Sequence, residues 1–175
     1  MGWSFKLHGG IAAGLSALLL ISAALTWLPG TLPLVDSPWL TAAVVLLLFP
    51  IFAAAMVRVL LTRADRHSVW LAFRCLSGAV QGALGSLVAS GIVVILVSVA
   101  GAGNLQSADI RDGRYFVLDV TPNERGTVEV SQSRYMAVLE SDRRSMLAIP
   151  GILFAAAAYL ALAVGELRRA DAGLR

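Results

Sequence analysis

Residues 76–100 read LSGAVQGALGSLVASGIVVILVSVA, a stretch of 25 residues without a charged side chain. At about 1.5 Å per residue, a helix of this length crosses the roughly 30 Å hydrocarbon core of a bilayer. Three further runs have the same character, at residues 11–28, 39–61 and 146–164. The sequence therefore predicts four transmembrane helices in one membrane domain over residues 1–175.

The composition excludes an ordinary soluble protein. Of 175 residues, 58% are hydrophobic and 14% are charged, whereas soluble domains are roughly 45–50% apolar and about 25% charged. The net charge is +3, but the basic residues bracket the apolar runs instead of forming one patch. We therefore expect a lipid bilayer as the surroundings and no nucleic-acid partner. A single cysteine, Cys75, and two histidines, His8 and His67, predict no disulfide, no metal site and no cofactor.

The charges between the runs predict an orientation. The link between the first and second runs has one acid, Asp36, and no Lys or Arg, whereas the second link is rich in arginine. The positive-inside rule places that second link in the cytoplasm, with four arginines as topology anchors: Arg58, Arg63, Arg66 and Arg74. Lys6 at the amino end and Arg168, Arg169 and Arg175 at the carboxyl end agree. Both termini are then cytoplasmic.

The first run has two interpretations. Lys6 precedes an apolar stretch that ends in small residues around 22–24, which is also typical of a cleaved signal peptide. Leu25, Trp27 and Leu28 extend the run and no clean A-x-A site is present. We therefore expect the segment to be retained as a helix.

Glycine spacing predicts where helices meet. Gly10 and Gly14 form a GxxxG pattern in the first run, and Gly78, Gly82 and Gly85 lie on one side of the third. Small residues let helix backbones approach closely in lipid. Packing within the bundle is the favoured interpretation, and a homodimer seam is the alternative. Gln81 is expected to make an interhelical hydrogen bond.

Residues 103–145 form a polar insert between the third and fourth runs. Residues 115–120 and 127–130 have strand character, and PNERG at 122–126 provides the turn. We expect an antiparallel hairpin with one apolar face made by Phe116, Leu118, Val128 and Val130. Ser131 is placed to cap a following helix. The predicted fold is an all-α membrane protein: a four-transmembrane-helix bundle with a small extracytoplasmic β-hairpin plus helix between helices 3 and 4.

The insert also contains the candidate partner-binding residues, Tyr115, Phe116, Arg134 and Tyr135. Tyrosine and arginine are enriched at protein interfaces, although burial of the aromatic rings against the bundle is an equal alternative. Glu140 and Arg144 are spaced as an i,i+4 ion pair and are expected on the exposed side of the helix.

The stretches GRYFVL at 113–118 and GTVEVS at 126–131, followed by Tyr135 and the pair Arg143 and Arg144, resemble uncharacterised bacterial four-helix integral membrane proteins. In that family a tyrosine-containing strand, a glycine turn and an E-V-S strand end precede the last helix; a second aromatic often found beside the tyrosine is Phe116 in this chain. The resemblance covers about a third of the sequence. It implies a shared fold and a bacterial inner-membrane location, but no activity.

Function is constrained mainly by missing chemistry. Apart from Arg58 near one end, the four runs contain no charged residue, which argues against an ion-coupled carrier. His67 beside Asp65 has no second catalytic group nearby, and Asp109, Asp112 and Asp119 lack the pattern of a calcium loop. We expect a non-enzymatic accessory, regulatory or immunity-type component that binds a protein partner through the insert. The alternative is a small oligomeric transporter or pore subunit, whose flux would depend on Gln81 or the glycine face.

Overall fold

The computed structural model describes residues 2–28 and 37–173. Within them the helices are α1 (Trp3–Leu25), α2 (Pro38–Thr62), α3 (Arg66–Arg74), α4 (Gly78–Ala102) and α5 (Gln132–Gly173). The strands are β1 (Leu105–Arg111), β2 (Arg114–Asp119) and β3 (Gly126–Glu129). Asp36 and Arg175, which entered the orientation argument, lie outside the described residues.

Four of the helices, α1, α2, α4 and α5, are long and apolar enough to cross a membrane by length and composition. In α5 the helix of the insert and the last apolar run form one continuous helix of 42 residues, which extends the expected span of 146–164 at both ends. Ser131 caps its start as expected, with its hydroxyl accepting from the Arg134 backbone N–H at 3.3 Å. Pro150 is accommodated within the helix.

The long helix α5 lies at the centre of the molecule. The other helices and the first two strands pack against it. In an 18-residue apolar stretch of α5, 56% of the residues are buried, compared with 11% in the corresponding stretch of α2. Phe154 and Leu147 of α5 share one core cluster with Leu19 of α1 and Val94 of α4. The arrangement is therefore three long helices around a central one, and α2 leaves most of its surface open.

The helices pack through different glycines from those predicted. A Cβ built on Gly91 of α4 lies 2.5 Å from Cγ1 of Ile152, and one on Gly9 of α1 lies 2.5 Å from Cγ of Leu162. The five predicted packing glycines, Gly10, Gly14, Gly78, Gly82 and Gly85, have no such neighbour within 4 Å. Because one residue rotates a helix position by about 100°, Gly10 faces away although Gly9 is packed. The prediction of packing within the chain is therefore wrong for these five.

The arginine-rich link contains an unpredicted helix, α3, which packs against α5. Asp65 caps its start and accepts the Ser68 backbone N–H at 2.9 Å. The Ser68 hydrogen bonds lower the pKa of this carboxyl group. Gln81 of α4 makes an interhelical hydrogen bond, as expected, and its partner is the short helix α3: the amide donates to the carbonyl of Arg74, the last residue of α3, at 3.1 Å, and to that of Leu76 in the connection at 2.7 Å. The link is therefore ordered by short-range polar contacts.

The strands form an antiparallel sheet in the order β1-β2-β3. The hairpin of β2 and β3 was expected, but β1 was not. Val117 pairs with Val128, and Phe116 pairs with Glu129. Residues that pair directly project to the same face of a sheet, so the predicted apolar face combined residues from both faces. One face contains Tyr115, Val117 and Val128, and Phe116 with Leu118 belongs to the opposite one.

Candidate partner-binding surface

The three strands and residues 132–143 of α5 form one unit, which we call the cap. A bulge in β1, where the pairing register shifts between Gln106 and Asp109, fixes the strand to the helix. Asp142 of α5 accepts the Ser107 backbone N–H at 2.8 Å, and Ser107 has a positive φ of 52°. The pKa of Asp142 is raised above its usual value because burial is the larger effect. The hydrogen bonds from the backbone N–H groups of Ser107 and Ala108 oppose this rise. The carboxyl group therefore holds β1 in place.

Arg134 joins the start of α5 to the end of α4. Its guanidinium donates to the Ala102 carbonyl at 3.0 Å and to the Gly101 carbonyl at 3.3 Å. A cation at this position offsets the partial negative charge of a helix carboxyl terminus. Ser141 adds a buried bond from its hydroxyl to the Ser98 carbonyl at 2.9 Å. Arg134 thus has a structural use, although its side chain lies at the surface.

The inner face of the sheet is closed by aromatic packing. The rings of Tyr115 and Tyr135 lie 5.0 Å apart, and Tyr135 is only 8% exposed. Val117 and Val138 are fully buried beside them. Burial therefore removes Tyr135 from the candidate binding surface, and Tyr115 is half-buried on the same inner face.

The outer face of the sheet presents a mixed polar and apolar surface. Phe116 and Leu118 lie near its middle and are half-buried. Two exposed ion pairs flank them, Arg111 with Asp109 at 2.8 Å and Arg114 with Glu129 at 3.6 Å. The Arg111 guanidinium also lies 6.0 Å from the centroid of the Phe116 ring. Of the four predicted partner-binding residues, only Phe116 projects from this face.

Sequence reasoning missed a buried polar cluster at the base of the cap. Arg144 of α5 donates to the Thr26 hydroxyl at 2.9 Å and to the Glu140 carboxylate at 2.6 Å. Its guanidinium lies 5.4 Å from the Trp27 ring centroid. The Arg144 side chain is 10% exposed and that of Glu140 is 35% exposed, so the expectation of an exposed pair is wrong. The sequence feature that could have indicated this buried cluster is the position of Arg144, just before the apolar run at 146–164.

A cavity of about 550 Å³ lies beneath the β1 bulge, between the end of α4 and α5. Its walls combine polar groups, including Ser107 and Asp142, with apolar ones such as Val99 and Ile149. Because the Asp142 carboxylate already accepts backbone N–H groups of β1, the cavity is part of the attachment of the cap. The outer face of the sheet is therefore the better candidate for recognition.

The four predicted topology anchors lie around α2, α3 and their link, at the end of the molecule away from the cap. Arg63 ends α2 in a left-handed conformation with φ of 48°. Arg66 is the first and Arg74 the last residue of α3. Arg58 donates to the Ser4 carbonyl at 3.3 Å, so this link and the start of α1 share one end of the molecule.

Asp65, His67 and Arg74 of the link all belong to α3 or to its cap. Asp65 is the helix cap, His67 is the second residue of α3 and Arg74 is its last. His67 and Arg74 therefore lie at opposite ends of this helix. Across residues 2–28 and 37–173, His, Cys, Asp and Glu form no group of three or more that could hold a metal ion.

No known protein family matches the chain, and no curated protein or solved structure is significantly similar to it.

Proposed function

We propose that this is a non-enzymatic integral protein of the bacterial inner membrane whose cap binds a protein partner. In this proposal both termini are cytoplasmic, α1, α2, α4 and α5 cross the bilayer, and the cap is extracytoplasmic. The protein then acts as an accessory, regulatory or immunity-type component. The positive-inside pattern of the link supports this orientation.

The observation that carries the proposal is the contrast between the two faces of the sheet. The inner face packs on α5 through Tyr115, whereas on the outer face the half-buried Phe116 lies between exposed ion pairs. Aromatic and arginine side chains are favoured at the centres of protein interfaces. The strand β3 is at an edge of the sheet, next to the strand β2 that carries Phe116. An exposed strand edge can pair with an extended segment of another protein. A partner strand can therefore bind along β3 and contact Phe116.

The first prediction concerns the outer face. Replacing Phe116 and Arg114 together with alanine is expected to reduce crosslinking to the partner in native membranes by about tenfold or more, as for loss of an interface hot spot. The measurement is quantitative mass spectrometry of crosslinked, affinity-purified protein. Wild-type and variant chains are compared at equal expression.

The matched control changes the inner face instead. Ile110 of β1 is 53% exposed, and it pairs with Tyr115 on the side of the sheet opposite Phe116. The Ile110→Ala variant, which leaves β3 unchanged, should keep the partner. An unchanged set of crosslinked proteins in the Phe116→Ala/Arg114→Ala variant would contradict the proposal.

A further inference from the structure

Two arginines from different helices share one aromatic ring at the end opposite the cap. The guanidinium carbon of Arg58 lies 4.5 Å from the centroid of the Phe5 ring, and that of Arg168 lies 5.4 Å from it. Phe5 is only 9% exposed, although it lies near the start of the described chain. The contact joins α1, α2 and α5 at this end.

The two guanidinium groups have no acidic partner in the described part of the chain. The nearby carboxylate of Glu166 pairs with Arg169 at 3.3 Å, and neither Arg58 nor Arg168 forms a salt bridge in residues 2–28 and 37–173. Two like charges on one ring repel each other, and Lys6 adds a third positive charge to the same segment. The site therefore favours an anion from outside the chain.

A groove begins at Arg58, one of these two arginines. A cavity of about 340 Å³ lies between α1 and α2, with Arg58 in its lining. Leu7, Ile11 and Ile51 provide apolar lining. His8 donates from Nε2 to the Ile51 carbonyl at 3.0 Å, so this polar group in the wall is already satisfied. A charged end and an apolar length match a molecule with an anionic head and a hydrocarbon chain.

We propose that this groove binds an anionic phospholipid, with its phosphate at Arg58 and Arg168 and an acyl chain along α1 and α2. Guanidinium groups bind phosphate through charge-assisted hydrogen bonds. Basic pockets between transmembrane helices are a recognised form of lipid-headgroup site. Arg58 lies four residues before the end of α2 at Thr62, and a long basic side chain near the end of a membrane-spanning helix can reach the headgroup layer. The site is independent of what the cap binds.

The test is native mass spectrometry of detergent-purified protein titrated with phosphatidylglycerol or phosphatidylcholine. Wild-type protein should retain phosphatidylglycerol about tenfold better than phosphatidylcholine. The Arg58→Gln/Arg168→Gln variant should lose this preference. The control, Arg66→Gln/Arg74→Gln, removes the same charge from α3 and should keep it. Persistence of the preference in the first variant, or its loss in the control, would overturn the proposal.

Two further arms keep the test decisive. Ala54 lines the groove, so Ala54→Phe should lower retention of phosphatidylglycerol without changing the charge, and it decides the matter if the arginine variant does not fold. Circular dichroism checks the helix content of each variant. Inorganic phosphate, which has no acyl chain, should not displace the bound lipid at equal concentration. Full retention in Ala54→Phe, or displacement by phosphate alone, would contradict a lipid site.

Discussion

The Arg144→Leu substitution is expected to lower the free energy of unfolding by about 3 kcal/mol, because it removes one member of a buried, hydrogen-bonded charge cluster. The guanidinium contacts both the Thr26 hydroxyl and the Glu140 carboxylate. Without it, the Glu140 carboxylate is left half-buried and unpaired, and the Thr26 carbonyl at the end of α1 loses its donor at 3.5 Å. The measurement is reversible unfolding in detergent, followed by circular dichroism.

A surface ion pair in the same cap provides the control. Arg111 and Asp109 pair at 2.8 Å, but their side chains are 62% and 53% exposed. Exposed pairs contribute about 0–1 kcal/mol, so Arg111→Leu should change stability little. Equal losses in the two variants would show that the Arg144 cluster does not fix the base of the cap.

The Gly91→Val variant is expected to be destabilised by about 3 kcal/mol, at the upper end of the usual cost of overpacking a close contact. The added atoms would overlap Cγ1 and Cδ1 of Ile152, which lie 2.5 and 2.9 Å from a Cβ at this position. Leu20 of α1 closes the other side at 3.2 Å. Neither α1 nor α5 can move without disturbing the shared core. Thermal unfolding in detergent measures the effect.

Gly82 of the same helix provides a matched control, because a Cβ there has no neighbour within 4 Å. Gly82→Val should leave unfolding of the single chain almost unchanged. If this glycine face is a seam between two copies, the same substitution should instead lower the dimer fraction in crosslinking. A Gly82→Val protein as unstable as Gly91→Val would contradict the described packing of α4.

Much of the helical architecture was predictable because it depends on local properties. Residues 76–100 and 146–164 have the length and composition of membrane spans, and the helices found there, Gly78–Ala102 and Gln132–Gly173, cover residues 78–100 and all of 146–164. The hairpin of β2 and β3 followed from the turn residues at 122–126 and from short runs of branched and aromatic residues. Ser131 was recognised as a cap because capping requires only a hydroxyl beside the first turn.

The strand β1 was not predictable from its own residues. Leu105–Arg111 reads LQSADIR, which has little alternation of apolar and polar groups. Its bulge is fixed by Asp142, 35 positions further along the chain. Such a contact leaves no local pattern, and the same long-range origin explains why the buried role of Arg144 with Thr26 was missed.

The packing glycines illustrate a different limit. A GxxxG spacing identifies a narrow stripe on a helix but not the neighbour that it faces. In α1 the packed stripe includes Gly9, Ala12 and Ser16, all buried, next to the predicted Gly10 and Gly14. Only the position of α5 selects between these stripes. The candidate surface was limited in the same way, since the pairing of Phe116 with Glu129 decided which aromatic projects outward.

The central claim is that the cap and the arginine-rich link lie on opposite sides of the membrane, with the cap outside. The native Cys75, which is exposed between α3 and α4, provides an internal reference for the link. A second cysteine is introduced as Asn123→Cys in the β2–β3 loop, with and without Cys75→Ser, and intact cells are treated with a membrane-impermeant maleimide. We expect labelling at position 123 and protection of Cys75 until the cells are permeabilised. Labelling of Cys75 in intact cells, with position 123 protected, would contradict it.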